Sequence, residues 1–289
     1  MKKYLILGGS GLLGSKLMSY FHQSHGTHFT NEISGQFKTS FLDLAHMESF
    51  RILIERTKPD VVINSTGIAN VDFCELFPEK CWELNSWRPF LISEECAARN
   101  IKYVHISTDH YSNLNNAKLK ENDLVSTINQ YGFSKFNSEQ LIGYSNTNAI
   151  IVRTNFFHFN FGSPKTYLDS LVGNIQKHVL VYSLNDVFFT PISTLTLAKY
   201  IEILVDLDFS GVINVCSSEV LSKFEFHSAV LKEIGAPVGF HFSTVLESLK
   251  LTAKRPNYMA LDNDLLQNLT ETKIPSIYDM IKTELRYSN

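Results

Sequence analysis

The chain has 289 residues, enough for one large domain or two smaller ones with a sizeable core. Hydrophobic residues make up 44% and charged residues 19%, which excludes a disordered or collagen-like chain. The formal net charge of −3, without basic blocks or long apolar runs, argues against nucleic acid and membranes as partners. Glycines interrupt the apolar N-terminal stretch, so we expect a strand and turn there instead of a signal peptide, and a cytoplasmic protein.

Apolar runs alternate with helical patterns through the first two thirds of the chain. Strands are predicted at 3–7, 28–31, 39–42, 61–64, 103–107, 149–153 and 212–215. Helices are predicted at 11–22, 47–57, 78–100, 129–144, 166–177, 194–207 and 222–235. Strands that alternate with helices of this length indicate an α/β protein, with a Rossmann-type doubly wound parallel sheet.

After residue 153 the alternation loosens, but no linker or repeat separates the rest of the chain. A loop at 162–164 is predicted to leave the sheet, and the strand at 212–215 to return to it. We therefore predict a dinucleotide-binding Rossmann core at 1–155, to which about 185–217 returns. The remaining segments, 156–184 and 218–289, are predicted to form a small, interwoven C-terminal substrate lobe.

Two groups of potential metal ligands have simpler interpretations. The cysteines at 74, 81, 96 and 216 show no C-x-x-C spacing, so packed, reduced thiols are favoured over a zinc site. His22, His25 and His28 recur every third residue. Because His22 ends a predicted helix and His28 begins a predicted strand, a solvated connection is favoured over a metal site. We expect no metal.

A glycine-rich turn lies between the first predicted strand and the first predicted helix, with the spacing G-x-x-G-x-x-G at Gly8, Gly11 and Gly14. The first glycine permits a tight turn, the second lets a pyrophosphate approach the backbone, and the third lets the helix pack on the strand. Leu12 and Leu13 open the helix, whose N-terminal N–H groups and dipole favour phosphates. The turn therefore predicts a dinucleotide site.

The choice between NAD and NADP depends on residues farther along the chain. A partner for the ribose is expected about 20 residues later, where Asn31 and Glu32 stand. No Lys or Arg occurs between Lys16 and Lys38 to hold a 2′-phosphate, so NAD is slightly favoured over NADP. Asp43 and Leu44 follow the third predicted strand, where they can meet the adenine; a cap for the next helix is an equal alternative for Asp43.

Two Y-x-x-x-K patterns occur, at Tyr131–Lys135 and Tyr278–Lys282, and only the first follows a strand end, at Thr108. Ligands of doubly wound sheets bind at the carboxyl ends of strands. There Tyr131 can protonate the alkoxide that hydride transfer leaves, and Lys135 can stabilise the phenolate and hold the ribose hydroxyls. Thr108 can stabilise the developing oxyanion, whereas Tyr278 is expected on the surface.

These residues resemble the extended short-chain dehydrogenase/reductases and, more narrowly, the dTDP-4-dehydrorhamnose reductases and their sugar-nucleotide-binding relatives. The resemblance also covers 59–67, 71–72, 84–85, 106–109, 151–154, 190–191 and 254–256. It implies that Thr108, Tyr131 and Lys135 are catalytic, that Asn85 orders the site, that Ser65, Thr66 and Gly67 line the cofactor, and that Val71 lines the sugar.

Departures from this family pattern fall on the substrate side. His110, Phe156, Val187, Phe189 and Met259 stand where the family usually has Tyr, Trp, Gln, Gly and Ser. We therefore expect reductase chemistry on a substrate other than dehydrorhamnose. The other substrate-binding candidates are Asp109 and Arg255; the guanidinium fits a diphosphate, and a surface salt bridge is the alternative.

Together these features predict an NAD(P)H-dependent reductase of a 4-keto sugar nucleotide in polysaccharide biosynthesis, with Tyr131 as the proton donor. A non-catalytic NAD(P)-binding regulatory or scaffold subunit stays open as an alternative, as does a sugar-nucleotide epimerase. A dehydratase is disfavoured because Asp109-His110 lacks the expected Glu. The expected partner is a nucleotide-sugar substrate, and a homodimer is left open.

Overall fold

The computed structural model describes residues 1–31, 37–112, 117–160 and 166–288, so Glu32 and the loop predicted at 162–164 lie outside the described residues. The chain divides into two compact units. Unit 1 comprises Met1–Thr108, Asn129–Arg153 and Ala198–Ile213; unit 2 comprises Asp109–Ile128, Thr154–Leu197 and Asn214–Asn289. Of the segment predicted at 185–217, Ala198–Ile213 belongs to unit 1 and the rest to unit 2.

The described residues form strands in this chain order: β1 Tyr4–Leu7, β2 Ser24–His28, β3 Lys38–Phe41, β4 Val61–Asn64, β5 Lys102–Ile106, β6 Ile150–Arg153, β7 Phe156–Phe157, β8 Val181–Leu184, β9 Phe188–Phe189, β10 Ile192–Ser193, β11 Gly211–Asn214, β12 Leu221–Ser222 and β13 His241–Thr244.

The α-helices are α1 Leu12–Tyr20, α2 Met47–Thr57, α3 Val71–Leu76, α4 Pro78–Trp82, α5 Arg88–Ala97, α6 Gln130–Ser145, α7 Tyr167–Gln176, α8 Thr194–Asp206, α9 Lys223–Glu233, α10 Asp264–Thr270 and α11 Ile277–Ser288. A π turn at Glu83–Trp87 joins α4 to α5. None of the helices in the described part of the chain is long and apolar enough to cross a membrane.

Seven strands form the main sheet, in the order β11-β6-β5-β4-β1-β2-β3. The five strand pairs from β6 to β3 are all parallel, and β11 lies at the edge beside β6. Read from β3, the first six strands follow the 3-2-1-4-5-6 order of a dinucleotide-binding fold. The predicted Rossmann-type doubly wound sheet is confirmed. Its strand order reverses between β1 and β4, where the carboxyl ends of the strands open a crevice.

The central strands are buried along their whole length. All four residues of β1, β4 and β6 and all five of β5 are buried. Such continuous burial is typical of parallel strands that are covered on both faces. Phe50 of α2 and Ile92 of α5 complete the apolar cluster around these strands.

The second strand lies earlier in the chain than predicted. The sequence prediction at 28–31 is wrong, because β2 is Ser24–His28 and pairs with β1 in the register Tyr4↔Ser24. Small and polar residues make up this strand, so it lacks the apolar run that marks its neighbours. His25 and His28 therefore lie within the sheet, not on a solvated connection, and His25 Nε2 is 2.8 Å from the Ser40 hydroxyl.

The helix predicted at 78–100 is three segments: α4, the π turn and α5. In the π turn two consecutive side chains, Asn85 and Ser86, are fully buried. Single π turns within α-helices are frequent at functional sites. The short helix α3, which begins at Val71 after the Asn70 N-cap, has no counterpart in the prediction.

Unit 2 contains three two-stranded sheets: β7 with β10, β9 with β12, and β8 with β13. Helix α9 packs against β8 and β12. The core of unit 2 includes three packed aromatic rings. The centroid of the Phe226 ring lies 5.0 Å from that of Phe157 and 5.6 Å from that of Phe189.

Candidate active site

The glycine turn between β1 and α1 has the geometry that its spacing predicts. Gly8 has φ +80°, in the left-handed region that favours glycine. A Cβ at Gly14 would lie 2.1 Å from the Gly8 carbonyl oxygen, so only glycine fits there. Gly11 is the N-cap of α1 and offers no side-chain acceptor, which leaves the first N–H groups, at Leu12 and Leu13, available to a phosphate. This cradle fits a dinucleotide pyrophosphate.

The end of β4 is tied to the end of β1 at the switch point of the sheet. The Ser65 hydroxyl donates to the Leu7 carbonyl oxygen at 2.7 Å, and the Thr66 hydroxyl donates to the Asn64 Oδ1 at 2.6 Å. A Cβ at Gly8 would lie 3.1 Å from the Thr66 methyl group. Residues 65 and 66 therefore lie directly beside the glycine turn.

Asn85 connects the loop after β4 to α6. Its Oδ1 accepts from the Ile68 N–H at 2.7 Å, and its Nδ2 donates to the Ile68 carbonyl at 3.0 Å and to the Ser134 hydroxyl at 3.1 Å. Gly67 has φ +145°, and a Cβ there would lie 2.8 Å from Asn85 Oδ1. The glycine at 67 is therefore a consequence of the close approach of Asn85.

The Lys135 ammonium is buried at the carboxyl end of β5. Its Nζ donates to the Ile106 carbonyl oxygen at 2.7 Å and lies 3.3 Å from His105 Nε2. Burial lowers the Lys135 pKa to about 8, although the charges of Glu139 and Cys81 raise it. Burial and the Lys135 charge also hold the His105 pKa well below its usual value, so His105 is neutral.

A buried ion pair lies one helical turn beyond Lys135, and sequence reasoning did not single it out. Glu139 accepts from Arg153 Nε at 3.0 Å and from Nη2 at 2.7 Å. The Ser107 hydroxyl donates to the same carboxylate at 2.5 Å. The i, i+4 spacing of Glu139 from Lys135 was visible in the sequence, but the long-range partners were not.

Tyr131, the predicted proton donor, and Lys135 share one face of α6. Tyr131 is partly buried and stands one turn before Lys135, while Thr108 is buried two residues after Ile106. The other Y-x-x-x-K pattern is different. Tyr278 is 48% exposed and Lys282 lies 4.0 Å from Glu233, so that pattern is on the surface.

Three further candidates, Asp43, Leu44 and Val71, belong to unit 1. The Asp43 carboxylate accepts from the Ala45 N–H at 2.8 Å, and the N-cap of α2 is His46, so Asp43 does not cap that helix. Leu44 is partly buried, and Val71 begins α3 with a partly buried side chain.

The remaining candidates belong to unit 2. Asp109 is buried and accepts from Asn155 Nδ2 at 2.8 Å, and burial raises its pKa to about 6. Burial, followed by the charges of Arg255 and Lys223, lowers the His110 pKa to about 3. Unit 2 therefore brings Asp109, His110 and Arg255 into one electrostatic environment, together with Lys223, which sequence reasoning missed.

Arg255 and Phe156 also belong to unit 2. Arg255 is partly buried, and its Nη1 donates to the Ala253 carbonyl oxygen at 2.9 Å. Phe156 is partly buried on β7, in register with Ile192 of β10.

A sheet in the 3-2-1-4-5-6 order, with a glycine cradle at its switch point, defines a Rossmann-type α/β protein with a nucleotide site. Within that class the chain belongs to the RmlD substrate binding domain family, whose model matches residues 1–287.

Three known proteins illustrate the likeness. The chain is 25% identical over 282 residues to the probable low-salt glycan biosynthesis reductase Agl14 of Haloferax volcanii, covering 95% of this chain and 94% of that one. It is 22% identical to the methionine adenosyltransferase 2 subunit beta of Rattus norvegicus, covering 93% and 82%. The fold matches the crystal structure of dTDP-4-dehydrorhamnose reductase from Bacillus anthracis in complex with NADP, with a TM-score of 0.87, 18% identity and 99% coverage of both chains.

Proposed function

We propose that the protein is a nicotinamide-dependent reductase of a 4-keto sugar nucleotide that contributes to polysaccharide biosynthesis. The observation that carries this proposal is the buried Lys135 ammonium, which is held on the carbonyl of Ile106 at the end of β5 and stands one helical turn from Tyr131. Membership of the RmlD substrate binding domain family and the likeness to the reductase Agl14 support it.

A nicotinamide dinucleotide, when bound, supplies the hydride. The turn from Gly8 to Gly14 binds the pyrophosphate, because its three spaced glycines present no side chain and no side chain caps the first N–H groups of α1. Ser65, Thr66 and Gly67 line the same crevice, and Asp43 and Leu44 meet the adenine. We favour NAD over NADP, since no Lys or Arg occurs between Lys16 and Lys38. A higher affinity for NADPH than for NADH would contradict this preference.

The proton transfer is assigned to residues of unit 1. Tyr131 donates its phenolic proton to the oxygen of the reduced ketone, and Thr108 donates a hydrogen bond to that oxygen as negative charge develops on it. The Lys135 ammonium stabilises the phenolate that remains and holds the ribose hydroxyls. Asn85 keeps the loop at Ile68 and the helix at Ser134 in place around them.

The substrate is proposed to be a sugar other than dehydrorhamnose. Val71, Asp109, His110 and Phe156 are assigned to the sugar, and Arg255 to the diphosphate. The support is chemical: a neutral His110 replaces the Tyr that is usual in the family, next to the Asp109 carboxylate, whose pKa burial raises.

A non-catalytic subunit is the second candidate, because a methionine adenosyltransferase subunit is among the relatives. The two are separated by one assay, in which the purified protein and NADH or NADPH are mixed with 4-keto sugars linked to dTDP, UDP, GDP or CDP. Oxidation of the cofactor by any of them, lost in Tyr131→Phe, is the expected result. Firm cofactor binding without oxidation by any sugar would favour the subunit.

A further inference from the structure

The ammonium of Lys223, in unit 2, contacts an aromatic ring and no hydrogen-bonding partner among the described residues. Its Nζ lies 4.4 Å from the centroid of the Phe189 ring, and the side chain is partly buried. Among the residues that the structure describes, this ammonium makes no hydrogen bond and no ion pair. Its backbone is well fixed, because its N–H donates to the Val187 carbonyl at 3.0 Å and the preceding Ser222 forms a capping box with Glu225.

The position of this lysine is unfavourable for the protein alone. Lys223 is the first residue of α9, where the helix dipole disfavours a positive charge. Burial also disfavours the charged form and lowers its pKa. A ring face and the Asp109 charge offset part of this cost, but the described residues offer no hydrogen-bond acceptor to the three N–H groups of the ammonium. An acceptor on a ligand would satisfy them.

The residues around Lys223 are those at which the chain departs from its family pattern. Val187 accepts its backbone N–H, Phe189 carries the ring beneath its ammonium, and the Lys223 charge lowers the His110 pKa. Val187 and Phe189 are close together in the sequence and His110 is distant from both, yet all three act on or respond to the Lys223 side chain or its backbone. What the three departures share is this link to Lys223, a cation on the side of the protein where we place the substrate.

The charged groups around Lys223 leave its ammonium only partly compensated. Of the described residues, Asp109 supplies the one carboxylate whose charge acts on Lys223, and burial raises the pKa of that carboxyl. His110 and His227 lie in the field of the Lys223 charge, and burial lowers the pKa of each to about 3, so both are neutral. A buried cation opposed by one carboxylate of raised pKa favours an anionic group on the ligand.

We propose that Lys223 binds an anionic oxygen of the substrate, either a carboxylate on the sugar or an oxygen of the diphosphate, and thereby selects which nucleotide sugar is accepted. This inference rests on the proposed function, because it takes the ligand of unit 2 to be a nucleotide sugar. It adds a specificity residue and the charge of the group that this residue recognises.

The test uses ligand pairs that differ in one carboxylate. Five ligands are titrated by calorimetry into the full-length protein saturated with NADH. They are UDP-glucuronate, UDP-glucose, dTDP-glucuronate, dTDP-glucose and pyrophosphate. Lys223→Met removes the charge and keeps the length of the side chain. Lys232→Met is the matched control, because it removes the same charge from an exposed position in the last turn of α9. Thermal unfolding and NADH affinity confirm that each variant is folded.

We expect Lys223→Met to raise the Kd of at least one ligand class about tenfold or more, and Lys232→Met to leave it unchanged. A loss confined to the glucuronates identifies a sugar carboxylate, whereas equal losses for both sugars and pyrophosphate identify the diphosphate. Unchanged affinity of Lys223→Met for every ligand would overturn this inference alone. A wild-type protein that binds NADH but none of the five ligands would overturn the inference and the nucleotide-sugar assignment together.

Discussion

The Ser107 hydroxyl donates a hydrogen bond of 2.5 Å to the buried carboxylate of Glu139. One residue earlier, the Ile106 carbonyl accepts from Lys135, which stands one turn before Glu139 on α6. Helix α6 therefore holds two consecutive residues at the end of β5, immediately before Thr108. The position of Thr108 and the charge of Lys135 thus depend on the same carboxylate.

The two Y-x-x-x-K patterns provide a matched pair of variants. Tyr131→Phe removes one hydroxyl from a partly buried position and is expected to lower turnover by about 10²–10⁴, the usual contribution of general acid catalysis. Tyr278→Phe removes the same group from an exposed position and should change turnover little. Steady-state rates with an active keto-sugar substrate measure both. Equal losses in the two variants would show that Tyr131 is not the donor.

Glu139→Gln is expected to shift the alkaline limb of the pH profile. In the proposed mechanism activity requires charged Lys135, so in the wild type activity should fall as the pH rises through about 8. The groups that face this ammonium are Glu139, Cys81 and the neutral His105. Since the Glu139 charge raises the Lys135 pKa, its removal should move the fall in kcat to lower pH.

A second buried carboxylate serves as the control for that variant. Glu284 of unit 2 accepts from the Thr194 hydroxyl at 2.9 Å and from the Leu195 N–H at 2.8 Å. Glu284→Gln should lower the free energy of unfolding without moving the pH profile. If Glu139→Gln lost stability and kept the wild-type profile, its role would be structural only.

Glycines of unit 1 yield opposite expectations for the same substitution. Gly14→Ala would place a Cβ 2.1 Å from the Gly8 carbonyl oxygen, so the turn must distort, and we expect NADH binding and thermal stability to fall together. Gly143 lies within α6 and has nothing within 4 Å of its Cβ position. Gly143→Ala should stabilise the protein by about 0.5–1 kcal/mol, measured by chemical denaturation.

Asp109 should make the stability of the wild type depend on pH. Burial raises its folded-state pKa to about 6, above the unfolded value near 3.8, so the protonated form is favoured by folding. Its contribution is fully present below pH 3.8 and is lost as the pH rises through 6. Asp109→Asn should therefore gain stability relative to the wild type between pH 4 and 7. Parallel stability curves for the two proteins would contradict the raised pKa.

Local patterns predicted most of unit 1 because its central strands are continuous apolar runs that end at turns. The exception, β2, is built from Ser, His, Gly and Thr, and its place in the sheet depends on pairing with β1 and β3. The glycine turn was predictable because its spacing is local, and so was the place of Tyr131 at the start of α6, whose catalytic role stays a proposal. Arg153 and Lys223 were not, since their importance comes from contacts with residues distant in the chain.

The π turn at Glu83–Trp87 has a consequence for the helix that contains it. One extra residue in a turn shifts the angular phase of everything that follows by about 100°. Asn85 and Ser86 can then both reach Ser134: the Asn85 amide donates to the Ser134 hydroxyl, and the Ser86 hydroxyl donates to the Ser134 carbonyl oxygen. Beyond the shift, α5 buries Ile92 against the sheet. The helical segment from α4 to α5 thus buries residues in two different directions without a loop between them. Deleting one residue of the π turn would bring the two buried faces into line and separate the Asn85–Ser86 pair.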